Sequence, residues 1–402
     1  MVLITQQQSG SRGTSTFVNT RPQSPKPGTL WKNLGTNEDE IWNGSQWVRL
    51  GKLDQILSAF GSGADGEVTI SANTEMTSDK NYKNLTINSG FTLDTNGYVL
   101  RVSGTLTLTG DIISNGFAGD AGSDATSRVG ALGASGGTQT HASATLSDSM
   151  PGRAGGNGGA GHIDSGSSAG AGLAGSAGST GTSITRSIGS DGSGGGSGGV
   201  GGHATACAGN AVASAGGTST PGTATAITNI ELFEEARIDP THVQTESLET
   251  LHAGPAGGGG GGGGAACQAG GRGEGGGGGG GGGSGSGGGN MSIHANIVIG
   301  AGNFIATGGA GGAGGVGADG IDANGSGGGG GGGGAGGSGG YIKLTTRTSS
   351  GWSGSATVTG GASGAGGLGG SSTGAPATNG SPAGSGGVGV IGKFLHLSLD
   401  FL

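Results

Sequence analysis

Four carboxylates fall close together in ITNIELFEEARIDPTHVQTESLETLH: Glu231, Glu234, Glu235 and Asp239. Paired acids flanking a glycosidic bond could cleave a polysaccharide. Such a cleft needs several aromatics to stack on sugars, and this stretch has Phe233 alone. Ile230, Leu232, Phe233 and Ile238 instead mark a short amphipathic insertion whose carboxylates face water. A second stretch, GGVGADGID from Gly314 to Asp322, fits the calcium-binding nonapeptide GGxGxDxUx. Rolls of that kind surround the ion with consecutive turns, and no second copy adjoins this one, so it reads as a chance match. The seven histidines, at 141, 162, 203, 242, 252, 294 and 396, have no metal-ligand spacing, and the default for them is a surface position. Cys207 and Cys267 are not a Cys-x-x-Cys pair. They are expected to be free small residues, a disulfide between them being the alternative. The many GxGxxG matches lack the strand-to-helix context that a nucleotide site requires. No cofactor and no metal are expected.

The elements that could hold any site are unusual. The chain has 109 Gly and 9 Pro in 402 residues, aromatics are 4% and charged residues 10%. That much glycine normally means disorder, yet the high charge that keeps disordered tails soluble is missing. Order must therefore come from the backbone. The net charge of −8, with 17 dispersed Lys and Arg, gives no basic stripe for nucleic acid or an anionic membrane. The start, MVLITQQQSGSRG, has no signal-peptide pattern, and no apolar run is long enough to span a bilayer.

The expected fold class is all-β and irregular. Residues 1–26 read as a polar N-terminal arm. Residues 27–51 read as a small β-meander pinned by Trp31, Trp42 and Trp47 and broken by Gly35-Thr36-Asn37 and Asn43-Gly44. Leu53, Ile56, Leu57 and Phe60 have helical spacing, which predicts a short amphipathic helix within residues 52–63. Residues 64–116 carry short alternating pieces such as Leu85-Thr86-Ile87 and Leu106-Thr107-Leu108, separated by Gly turns at near-even spacing. Each piece is too small for its own core, so stacked rungs of a β-solenoid stem are preferred over an antiparallel meander. The same texture resumes in MSIHANIVIGAGNFIATGG, YIKLTTRTSSG, SATVTGG and VGVIGKFLHLSLDFL, as if rungs returned after excursions.

Those excursions occupy residues 117–391, interrupted by the insertion at 226–253, with a C-terminal strand at 392–402. Side chains recur there at every third position: Ala310, Ala313, Val316; Ala335, Ser338, Tyr341; Ala365, Leu368, Ser371. Three residues per turn is the polyproline II period. With glycine at two of every three positions, the pattern predicts a bundle of glycine rods packed backbone to backbone. Gly254 to Asn290 would form two or more antiparallel rods turning near Cys267 to Glu274.

The passage PGTLWKN…IWNGSQWVRLG resembles the small tryptophan module of bacteriophage tail-fibre and other virion appendage proteins. The phrase NLTINSGFTLDTNGYVLRVSGTLTLTGDIISNG followed by glycine triplets resembles phage structural proteins, and the glycine bundle is similar to the tip adhesins of T-even-like phages. Two features depart from those adhesins: they lack the N-terminal module, and their loops are aromatic-rich whereas these are rich in Ser, Thr and Ala. The resemblance implies a non-enzymatic tail fibre or adhesin, made in the host cytoplasm and located in the virion. Its partners would be other virion proteins and a host-surface receptor, with a homotrimer as one compatible assembly. Trp31, Trp42 and Trp47 would attach it. Because glycine rods carry few side chains, recognition would fall to Thr138–Met150, His203–Thr223 and Asn229–His252. Phe233, Arg237, His242 and Gln244 are the candidate receptor-binding residues. The alternatives are a virion decoration or collar fibre without a host ligand, an ice-binding glycine-helix protein, and a capsule depolymerase.

Overall fold

The computed structural model describes residues 24–26, 29–33, 38–42, 45–51, 59–137, 154–161, 174–179, 184–187, 196–201, 215–218, 224–226, 275–321, 325–374, 378–389 and 391–398. These residues are strand-rich, contain no helix, and outside the N-terminal module pair in parallel sheets. The predicted helix at 52–63 lies outside the described residues as far as residue 58, after which Ala59 and Phe60 form a turn and 61–63 are irregular.

The chain divides into two compact units, of which the first contains β1 (Leu30–Asn33), β2 (Glu38–Trp42) and β3 (Trp47–Gly51). They pair antiparallel in chain order, with Trp31 opposite Glu40 and Trp42 opposite Trp47. A turn in which the Thr29 N–H and hydroxyl both donate to the Lys26 carbonyl precedes β1.

The second unit begins with β4 (Glu67–Ile70), β5 (Thr74–Glu75), β6 (Lys80–Tyr82), β7 (Asn84–Ile87), β8 (Thr92–Asp94), β9 (Val99–Leu108) and β10 (Asp111–Ile113). Two short strands, β11 (Ile184–Ser187) and β12 (Ala224–Ala226), pair with each other. Then come β13 (Asn290–Gly300), β14 (Phe304–Ile305), β15 (Tyr341–Trp352), β16 (Ala356–Thr357) and β17 (Lys393–Ser398). The longer sheet has the order β17-β15-β13-β9-β7-β4, with β6 also on β9, and the shorter sheet has the order β16-β14-β10-β8-β5. Every ladder in both is parallel, which excludes the antiparallel meander for residues 67–113. Strands that resume after the glycine tracts join the same two sheets as those before them.

Alternation explains the core. Leu85, Ile87, Leu100, Val102, Leu106, Leu108, Ile112, Ile293, Phe304, Ile342 and Leu344 are completely buried in one cluster drawn from both sheets. Each such side chain stabilises by about 1.5–3 kcal/mol when fully buried, so no one strand suffices and the stacked set is needed. Turn chemistry sets the register. Asn96 takes a left-handed φ of 46° followed by Gly97 at 73°. Its N–H donates to Asp94 Oδ1 (2.8 Å) and its amide to Glu75 Oε1 (2.6 Å). The corners between the sheets are stitched in sequence: Asn303 donates its N–H and amide to Asp111 Oδ1, and its own Oδ1 accepts from the Ser355 N–H and hydroxyl. Side-chain amides and carboxylates thus pair backbone N–H groups that the short strands leave over.

In the glycine tracts the hydrogen bonds recur at every third residue. Gly276, Gly279, Gly282, Gly285 and Gly288 donate to Ser326, Gly329, Gly332, Ala335 and Ser338. Gly277, Gly280, Gly283, Ser286 and Gly289 donate to Ser127, Ser123, Asp120, Phe117 and Ser114, and Gly278 and Gly281 donate to Gly159 and Gly156. Successive residues of one tract are therefore satisfied by three different neighbours. The order of partners gives direction: tracts leaving β10, β14 and β16 run parallel to one another, tracts entering β13, β15 and β17 do likewise, and the two sets are antiparallel. A Cβ added at Gly276, Gly279 or Gly282 would strike the carbonyl of Ala318, Gly315 or Gly312, and one at Gly280 or Gly283 that of Leu132 or Ser135. Glycine is required there because backbones are in contact.

Candidate functional site

The expected attachment residues Trp31, Trp42 and Trp47 occupy the three strands of the N-terminal unit, Trp42 and Trp47 as direct cross-strand partners. Phe233, Arg237, His242 and Gln244 lie outside the described residues, as do Cys207, Cys267, the Glu231–Asp239 acids and the proposed turn at Cys267 to Glu274. The nonapeptide at Gly314 falls within a glycine tract. Gly314 and Gly317 donate to Ala365 and Leu368, and Asp319 Oδ1 accepts the Ser371 N–H. Among the described residues no group of three His, Cys, Asp or Glu could hold a metal ion. Nor is any helix among them long and apolar enough to cross a membrane.

One polar cluster escaped the sequence reading. β13 and β15 each open with six consecutive buried residues, so both sheet faces are covered there, as is usual for parallel sheets. Ile293 and Leu344 point into the core, which leaves Ser292, His294, Lys343 and Thr345 on the other face. Register places Ser292 beside Lys343, and His294 between Arg101 and Thr345. The expectation of surface histidines is thus wrong for His294, which has no solvent exposure. Ser292 Oγ and His294 Nε2 are 3.0 Å apart, while Nδ1 has no hydrogen-bond partner among the described residues. Burial, followed by the nearby Arg101 and Lys343 charges, pushes the imidazole pKa down to about 3. A Ser–His contact is the beginning of a nucleophilic site. Here both groups are buried, and among the described residues no acceptor orients the imidazole. The alternation in MSIHANIVIG placed Ser292 and His294 on a common face, but nothing local in the sequence said that this face is covered.

A second feature is exposed. The tract after β10 presents Ala118, Ala121 and Asp124 to solvent, the tract after β14 presents Ala310, Ala313 and Val316, and the tract after β16 presents Ala362, Ala365 and Leu368. Hydrogen bonds from Gly119, Gly122 and Ala125 to Ala310, Ala313 and Val316, and from Gly311, Gly314 and Gly317 to Ala362, Ala365 and Leu368, set these three columns side by side. The result is one outward face with two rows of three alanines and a third row of Asp124, Val316 and Leu368. The third-position pattern in the sequence contained two of these columns without indicating that they adjoin. Their Cβ atoms also stop another glycine tract from packing on, much as charges and bulges blunt the edge of a sheet.

Comparison with known protein families, curated proteins and solved structures gives no match for this chain.

Proposed function

We propose that this chain is a bacteriophage tail fibre or adhesin, and that its second unit is a β-solenoid stem prolonged into a bundle of polyproline II glycine rods. The observation that carries the reading is the direction of the tracts. Each leaves the short sheet alongside its neighbours and returns antiparallel into the long sheet, so successive turns extend outward together. At about 3.1 Å per residue, a tract the length of residues 306–319 would reach about 40 Å from the sheets. Inserted segments would then be held at the ends of stiff, nearly featureless rods, an economical way to offer variable loops to a surface. In this reading Trp31, Trp42 and Trp47 dock on other virion proteins, and Phe233, Arg237, His242 and Gln244 contact a host-surface receptor without catalysis. Labelled antibody against the chain, imaged on assembled particles, should mark the tail or its fibres. Label confined to the capsid would favour a decoration protein, and unlabelled particles would end the virion reading.

One observation favours a second reading, ice binding: the regular outward face of Ala, Val and Leu, interrupted only at the Asp124 corner. Its underlying N–H groups at Gly311, Gly314 and Gly317 are already spent on neighbours, so away from Asp124, whose Oδ1 accepts the Val316 N–H, the face offers methyl groups at fixed spacing. Purified protein that lowers the freezing point without lowering the melting point, and loses the effect on Ala313→Lys at unchanged stability, would support it. Equal freezing and melting points would remove it.

A further inference from the structure

We draw no further inference here: the strongest candidate, the buried Ser292–His294 pair beside Lys343 on the outward face of the longer sheet, carries no proposal because nothing in the structure shows what covers that face.

Discussion

Burial and the flanking Arg101 and Lys343 charges keep the His294 imidazole neutral down to about pH 3, whereas an unfolded chain takes up that proton near pH 6.5. Between those values the unfolded state binds more protons, so the contribution to stability is complete above about pH 6.5 and is lost as pH falls toward 3. At about 1.4 kcal/mol per pKa unit the full loss, reached below pH 3, is on the order of 5 kcal/mol. Replacing His294 by Gln keeps a hydrogen-bonding partner for Ser292 and removes the titration. The melting temperature of the His294→Gln protein should therefore fall less than that of the parent between pH 7 and pH 4. Parallel curves for the two proteins would show that His294 is not the group being protonated. Sequence could not have located this effect. It depends first on the burial of that face, and then on Arg101 and Lys343, which stand far from His294 along the chain and come near it only through the register of β9, β13 and β15.

At the scale of the element, the glycine tracts are held by backbone contact, and substitutions should divide by column. Gly280 has the Leu132 carbonyl where a Cβ would go, while Ala313 already points a Cβ into solvent. Gly280→Val should destabilise by more than about 1 kcal/mol, because it separates packed backbones and strands N–H groups. Ala313→Val should stay within about 0.5 kcal/mol. Urea unfolding of both proteins checks the contrast, and equal midpoints would mean that the tract is a loose linker. The period of three was legible, because Ala310, Ala313, Val316 and Ala365, Leu368, Ser371 display it directly. Which tract adjoins which was not. Glycine has no side chain with which to encode a partner, and the register is fixed elsewhere, at corners such as Asp111, Asn303 and Ser355. The short strands were visible as alternation, and the even spacing of residues 67–113 suggested stacked rungs, but which later strand joins which earlier one, as β13 joins β9, is recorded in no single piece.

For the whole molecule, two separate compact units mean that the tryptophan module and the glycine-bearing unit should be separable by deletion. A chain lacking residues 1–51 should remain soluble and unfold cooperatively, yet fail to enter particles. Normal incorporation of the shortened chain would move the docking role away from Trp31, Trp42 and Trp47. The small sheet that carries those tryptophans was legible because Gly35-Thr36-Asn37 and Asn43-Gly44 divide the window into three short pieces. The recognition residues rest on a different reason: glycine tracts with few side chains leave Asn229–His252 as the most chemically varied segment. The central claim, that the chain presents host-binding segments, is tested most directly by competition. Host cells incubated with purified protein before phage are added should adsorb fewer particles. The same protein with Asn229–His252 exchanged for an unrelated linker of equal length should leave adsorption untouched while melting at the same temperature. Undiminished adsorption in the presence of excess parent protein would contradict the account.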